Sequence, residues 1–343
     1  MTVGRSSLLL EQVEPDPSEW RQMDAFSDRH VFQTREWLSF IEAEQKADPV
    51  VCAVKAGSST VGYFTGLVVR HFGVRILGSP FPGWSTGYMG FNLENGISRR
   101  EAVDALVRFA FGPLQCAHVE VRDRYLDSSA AQRLGGTVHD FATFEVDLRG
   151  SEDEIFGRMT SACRRCIRKA QKVGVVIEEA GDVEFADEYQ EQLQDVFAKQ
   201  SLRPTYGVER VRALIEHLQP TGRLLLLRAR NAEGKCIATA IFVVHGRMMY
   251  FWGGASWRQD QILRPNESIF WYAMRYGKRE GAEVLDMGGG GDYKRKYGGD
   301  ELIVPHVVRS RIRGLQTMRE LARQLHDPGG ILNRVARIAR RSV

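Results

Sequence analysis

Residues 224–252 read LLLLRARNAEGKCIATAIFVVHGRMMYFW. Leu224 to Leu227 is an apolar run, Asn231 to Gly234 a turn, Ile237 to Val244 a second run, His245-Gly246 a second turn, and Met248 to Trp252 a third run. Short apolar runs bounded by such turns predict an antiparallel meander of three strands. Helical spacing precedes the meander over Val208 to Leu218 and follows it over Ser268 to Gly277. Val284 to Met287 then reads as a strand, Tyr297-Gly298-Gly299 as a turn and Leu302 to Val308 as the last strand. The same order stands once earlier in the chain. Thr34 to Gln45 is helical with Thr34 as a plausible N-cap, Val50 to Val54, Val61 to Val69 and Val74 to Leu77 form a meander, and a long loop follows. Ala102 to Phe111 is helical, His118 to Val121 a strand, Leu134-Gly135-Gly136 ends a short helix, and Phe141 to Leu148 alternates as a strand. The offset stays at about 163 to 176 residues throughout. A shared order of this length predicts a duplication. The strand–helix–strand crossover at the end of each unit predicts a parallel pair there. The sheet is then mixed, and it splays where pairing changes, which is where small ligands sit. The fold class expected is α/β with mixed sheets, as two tandem duplicated domains.

The chain has 343 residues, enough for two cores, with 43% hydrophobic and 26% charged residues. That composition excludes collagenous, wholly disordered and disulfide-stapled classes. Five cysteines, unevenly spread, point to a reducing compartment. No run reaches 18 apolar residues, and Leu8-Leu9-Leu10 is too short for a signal-peptide core. The expected location is cytoplasmic, with peripheral contact at the inner face of the cell membrane as a further expectation. The net charge of +4 hides an asymmetry: residues 309–343 carry nine Arg against one Glu and one Asp, a local +7, which leaves the body at −3. Within that tail, Ile331, Leu332, Val335 and Ile338 fall on one helical side and Arg334, Arg337, Arg340 and Arg341 on the other. A basic amphipathic helix of this kind suits an anionic membrane surface. The division expected is 1–149, 150–308 and the basic tail 309–343, and the charge pattern argues against a DNA-binding protein.

Four segments carry a resemblance. They are Arg164-Arg-Cys-Ile-Arg-Lys-Ala-Gln-Lys-Val-Gly-Val175, Tyr250-Phe-Trp-Gly-Gly-Ala255, Arg264-Pro-Asn266 with Trp271-Tyr-Ala273, and Leu285-Asp-Met-Gly-Gly289 with Tyr293-Lys294 and Tyr297-Gly-Gly299. In this order they resemble the FemABX-like branch of the GNAT superfamily, including the CelD-type acyltransferases, over most of residues 30–308. The resemblance implies tandem GNAT-like domains that form amide bonds. The co-substrate is acyl-CoA or aminoacyl-tRNA, there is no resident cofactor, and the acceptor is an amine of a cell-envelope or polysaccharide precursor. The usual GNAT phosphate-binding signature is not legible at either strand–helix junction, and no long coiled-coil insertion is present, so the donor stays open between the two. A non-catalytic scaffold in a membrane-associated complex is the third reading.

Among individual residues, Asp286-Met-Gly-Gly-Gly-Gly-Asp292-Tyr-Lys294 is the sharpest feature. Consecutive glycines after a strand let backbone approach a ligand closely. The resemblance implies that Tyr293 and Lys294 lie beside the reacting acyl group, where an ammonium would stabilise the oxyanion. Asp286 either orients the loop or helps remove the amine proton. Gly288, Gly289, Tyr250 and Trp252 are candidate substrate-binding residues. Over 158–173, Arg158, Arg164, Arg165, Arg168, Lys169 and Lys172 fall within about 140° of one helix face. That face is either a solvated surface or an anion platform, with Arg168 and Lys169 favoured by the resemblance. Met159, Ala162, Cys163, Cys166, Ala170 and Val173 fall on the other side, so Cys163 and Cys166 are not expected to bind metal. Arg264 and Asn266 precede a helix, with Asn266 as its cap and the free first-turn N–H groups as a possible anion site. Trp84 and Tyr88, in the aromatic loop Phe81 to Tyr88, are expected to line the acceptor.

Overall fold

The computed structural model describes residues 7–317, apart from 72, 135, 199–201 and 313. The basic amphipathic segment expected over 331–341 lies outside these residues. An opening strand β1 (Leu9–Val13) and helix α1 (Pro17–Asp24) lead into the first unit. It runs α2 (Arg35–Gln45), β2 (Asp48–Ala56), β3 (Ser59–His71), β4 (Val74–Ser79), β5 (Gly90–Leu93), α3 (Arg99–Phe111), β6 (His118–Arg122), α4 (Ser128–Gln132) and β7 (Thr137–Asp147). A linking segment holds α5 (Glu152–Arg158), α6 (Ser161–Lys172), β8 (Val176–Ala180) and α7 (Glu184–Ala198). The second unit is α8 (Val208–Leu218), β9 (Leu224–Arg230), β10 (Cys236–His245), β11 (Met248–Ser256), α9 (Pro265–Arg279), β12 (Val284–Asp286), a turn of 3-10 helix over Asp292–Tyr297, and β13 (Asp300–Ser310). The duplicated order is therefore present element by element.

All thirteen strands among the described residues join one mixed sheet in the order β1-β2-β3-β4-β6-β13-β7-β12-β11-β10-β9-β8, with β5 paired to β3. The two parallel pairs sit where the crossovers require them. β4 meets β6 from Ile76↔His118 to Ser79↔Val121, and β11 meets β12 from Met248↔Val284 to Tyr250↔Asp286. The final strands are exchanged: β7, of the first unit, pairs with β12, while β13, of the second, lies between β6 and β7. This exchange welds the two halves into a continuous sheet and brings Thr143 and Glu145 of β7 beside Asp286.

The meander strands are apolar on both sides because both sheet faces are covered. On one face a single core runs across both halves, with Trp37, Phe40 and Ile41 of α2, Phe185 and Tyr189 of α7, and Val211 and Leu214 of α8. On the other face there are two separate cores. One packs Ala102, Val103 and Leu106 of α3 on β2 to β4 and β6, and the other packs Ile269, Phe270, Ala273 and Met274 of α9 on β7 and β9 to β12. Thr34 caps α2 as expected, its hydroxyl accepting the Trp37 N–H at 3.3 Å, a contact worth about 1 kcal/mol.

The helix expected over 158–173 is two helices. Arg158 ends α5, and Thr160 opens α6 by accepting the Cys163 N–H at 3.2 Å. Arg164 donates back to the carbonyls of Gly157 and Met159 at 2.6 and 2.8 Å, tying down the break. Arg158 thus leaves the cationic face, and Ala162, expected to pack inward, is exposed. Cys163, Ile167 and Ala170 are the residues of α6 that reach the core.

Candidate active site

After Tyr250 and Asp286 the parallel pair separates: β11 continues to Ser256 while β12 stops and the glycine loop begins. Asp286 is fully buried at the point of separation. Its Oδ1 accepts from the Thr143 hydroxyl at 2.5 Å and the Gly288 N–H at 2.8 Å, and its Oδ2 accepts from the Tyr88 hydroxyl at 3.0 Å. Burial raises its pKa, and these three donors pull it back down. Among the described residues no ion pair reaches it. Gly288 must be glycine: its φ is +65°, and a Cβ there would stand 2.6 Å from the Phe251 carbonyl oxygen.

Lys294 is 3% exposed. Its ammonium turns inward under the glycine loop and donates to the carbonyls of Met287 at 2.8 Å, Gly289 at 3.0 Å and Gly288. Burial pulls its pKa down to about 8, and Asp286 works in the opposite direction. Neighbouring Tyr293 is 61% exposed, and its partial burial still raises its phenol pKa.

The first half reaches this point through residues 80–89. Tyr88 is buried, and its hydroxyl pKa is held high by burial and by Asp286. Gly87 packs on Tyr250, where an added Cβ would meet the phenol oxygen at 2.9 Å, and Arg122 donates to the Gly87 carbonyl at 2.7 Å. The Tyr250 phenol is likewise pushed up by burial. Beside them Arg124 donates to the Glu145 carboxylate at 2.6 Å. Burial pushes Glu145 up to about 7 against the pull of Arg124, and its side chain keeps 18% exposure.

A cleft of about 360 Å³ opens on the far side of the separation. Gly254 to Ser256 of β11, Asn266, Glu267, Ile269 and Phe270 of α9, Val196 of α7, and Phe251, Tyr293, Lys296 and Tyr297 line it. Its walls are mostly apolar and aromatic, with polar groups at one end. There the Asn266 amide donates to the Ser256 hydroxyl at 3.2 Å, and Lys296 pairs with Glu267 at 2.7 Å.

The expected site residues therefore fall into two groups. Asp286, Lys294, Gly288, Gly289, Tyr88 and Tyr250 are brought together, with Tyr293 and Asn266 on the adjoining cleft. The others stand apart. Arg168 and Lys169 are exposed on the outer side of α6, with Arg168 over the Phe156 ring at 5.4 Å. Trp84 packs on Phe81 at 4.7 Å, and Trp252 packs on Tyr206 at 5.3 Å with its indole N–H buried and unpartnered. Arg264 is exposed and is itself the N-cap of α9, in the left-handed region at φ +62°, without a side-chain cap bond. Asn266 is thus not the cap: Pro265 takes the first helical position, and Asn266 turns to Ser256 instead. Sequence reasoning missed Thr143, Glu145 and Arg124. Their spacing carries no motif: the exchanged strand β7 brings Thr143 and Glu145 to Asp286, and Arg124, just after β6, reaches Glu145.

Residues 157–296 match the sequence family described as the acetyltransferase (GNAT) domain. No curated protein sequence matches the chain. Among solved structures, FemX superposes with a TM-score of 0.71 at 14% identity, covering 91% of this chain and 99% of that one. A tandem GNAT protein from the clavulanic acid biosynthesis pathway gives 0.52 at 11% identity, over 89% and 99%. The C-terminal domain of a putative lysylphosphatidylglycerol synthetase from Agrobacterium fabrum gives 0.52 at 12% identity, over 79% and 87%. At these identities the likeness is one of fold: this chain has the tandem GNAT architecture.

Proposed function

Proceeding from a chain with the tandem GNAT fold, we propose that this protein is an N-acyltransferase. It moves an acyl or aminoacyl group from an activated donor to an amine of a cell-envelope or polysaccharide precursor. The observation that carries this reading is the separated β11/β12 pair, which has an apolar cleft on one side and the Tyr88–Asp286–Arg124–Glu145 seam on the other. Donor and acceptor can then approach the glycine loop from opposite sides. Holding both reactants there supplies much of the acceleration, and no covalent enzyme intermediate is needed. The acceptor nitrogen attacks the acyl carbonyl carbon, a C–N bond forms, and the thiolate or alkoxide of the donor leaves.

Lys294 supplies positive potential at the reaction centre, and Asp286 holds the loop and the first half in register. Both oxygens of Asp286 are engaged and the residue has no exposure, so removal of the amine proton falls to Glu145. That carboxylate reaches solvent on the same seam, at a pKa of about 7. The 309–343 segment contacts an anionic membrane surface in this reading.

Acyl-CoA is the first candidate donor. One observation favours aminoacyl-tRNA as the second. The first turn of α9, where a nucleotide diphosphate would need free N–H groups, already holds the buried Glu267 carboxylate paired with Lys296. The cations of α6, Arg168 and Lys169 among them, would then meet the phosphates of the carrier. Thermal shift of the purified protein with acetyl-CoA and with charged tRNA decides between them. Stabilisation by one is expected, and stabilisation by neither overturns the transferase reading.

A further inference from the structure

The carbonyls of Met287, Gly288 and Gly289 all point at one ammonium, that of Lys294. Among the described residues the cis peptide bond is Ser79–Pro80, so the three peptides here are trans. In a planar trans peptide the N–H points opposite to the C=O. The N–H groups of residues 288, 289 and 290 therefore point away from Lys294. The first of them is already taken: the Gly288 N–H meets the buried Asp286 Oδ1 at 2.8 Å. The next two, at Gly289 and Gly290, meet no acceptor among the described residues. They face a half-exposed and an exposed position, and a Cβ built on Gly289 meets nothing within 4 Å. Each carbonyl bound to the ammonium polarises its own peptide, which strengthens the N–H on the far side as a donor.

We propose that the Gly289 and Gly290 N–H groups form an anion cradle that receives the oxyanion of the acyl-transfer intermediate, with Lys294 as the positioning residue that turns them outward. The assignment rests on the acyltransferase reading and says how the charge of Lys294 reaches the reacting oxygen. When the amine nitrogen bonds to the carbonyl carbon, the carbonyl π pair moves onto oxygen. The two N–H groups hold that oxygen until the C=O reforms and the donor's thiolate or alkoxide departs, with the amine proton passing to Glu145. Two preorganised amide donors suit this task better than a direct lysine contact, because the three donors of the ammonium are already committed to carbonyls.

The cradle can be tested without knowing the substrates. The protein is labelled with 15N-glycine and titrated with inorganic phosphate as a tetrahedral anion. The expected result is saturable movement of the Gly289 and Gly290 amide resonances. Lys294→Gln should weaken the effect at least tenfold, and Lys294→Arg should retain it in part. Melting curves alongside separate loss of the fold from loss of the cradle, and the Arg variant keeps the test decisive if the Gln variant does not fold. Phosphate that moves other glycines while Gly289 and Gly290 stay still overturns the proposal, as does undiminished movement in Lys294→Gln. Since phosphate binding here requires neither donor nor acceptor, a still cradle in a protein that acetyl-CoA stabilises would sink this inference alone.

Discussion

Each half carries a buried aspartate at the end of its parallel pair, Asp286 in the last rung with Tyr250 and Asp123 two residues beyond the last rung Ser79↔Val121, and the two are bound in different ways. In the first half Asp123 follows β6. Its Oδ1 accepts the Tyr125 N–H at 2.8 Å, as Asp286 Oδ1 accepts the Gly288 N–H two residues on. There the likeness ends. Asp123 Oδ2 is bound by the Phe91 N–H at 2.9 Å and by Arg99 at 2.7 Å, and Arg99 also bridges to Asp28. Arg99 opens α3 at the position that Pro265 occupies on α9. The edge above it is filled as well. β11 is one strand along β10, with a bulge at Trp252, whereas its counterpart is cut into β4 and β5 along β3. Residues 80–89 make the excursion between those two strands and carry Tyr88 across to Asp286. The end of the first pair is closed by a buried charge network, while the loop between β4 and β5 reaches the second pair, whose strands separate beside the cleft.

The seal can be broken first. Arg99→Ala leaves Asp28 and Asp123 without their shared cation in a buried setting, and should cost about 3–5 kcal/mol in denaturant unfolding. A loss below about 1 kcal/mol would mean the network seals nothing. The open half should lose less stability. Asp286→Asn keeps the shape but disturbs three hydrogen bonds, at about 1–3 kcal/mol, with loss of acyl transfer out of proportion to the loss of fold. Equal effects on both would make Asp286 merely structural. Tyr88→Phe removes one of the two first-unit hydroxyls that bind Asp286 and should cost about 0.5–1.5 kcal/mol; an unchanged unfolding midpoint would deny the coupling.

The smallest effect is in the pH profile. Lys294 has a folded pKa of about 8 against an ordinary value of 10.5. Between those values the unfolded chain binds more protons, so this group makes stability rise with pH across that window. At the same time the glycine loop loses its ammonium, so phosphate affinity at the loop should fall above about pH 8. Lys294→Met should flatten the stability profile over that window, and a profile that keeps its slope would place the titration elsewhere.

Much of this fold was legible because hydrophobic period is a local property. The meanders, the crossover helices and their double occurrence all follow from apolar spacing that both sheet faces enforce. The exchange of β7 and β13 was not legible, since two strands of similar alternation can pair with either neighbour and only the assembled sheet decides. That hid Thr143 and Glu145, which carry no motif. β5 was lost inside an aromatic, glycine-rich loop for the same reason, and with it the burial of Tyr88. The break at Met159–Thr160 escaped because cations and apolar residues keep helical phase across it, while Thr160 lacks the glutamate three residues on that would have marked a start. The glycine loop was found, but its polarity was not: sequence suggests a lysine facing the substrate, and the fold turns its ammonium into the loop's own carbonyls.

In the proposed reading the second half alone takes the activated donor, in the cleft between β11, α7 and α9. Titration calorimetry with acetyl-CoA and, in parallel, with charged tRNA tests it directly, on the wild-type chain and on Val196→Trp, which fills the cleft. One equivalent of one donor per chain is expected, with affinity lost in Val196→Trp. Two equivalents, no binding of either donor, or binding undiminished by the filled cleft would contradict it.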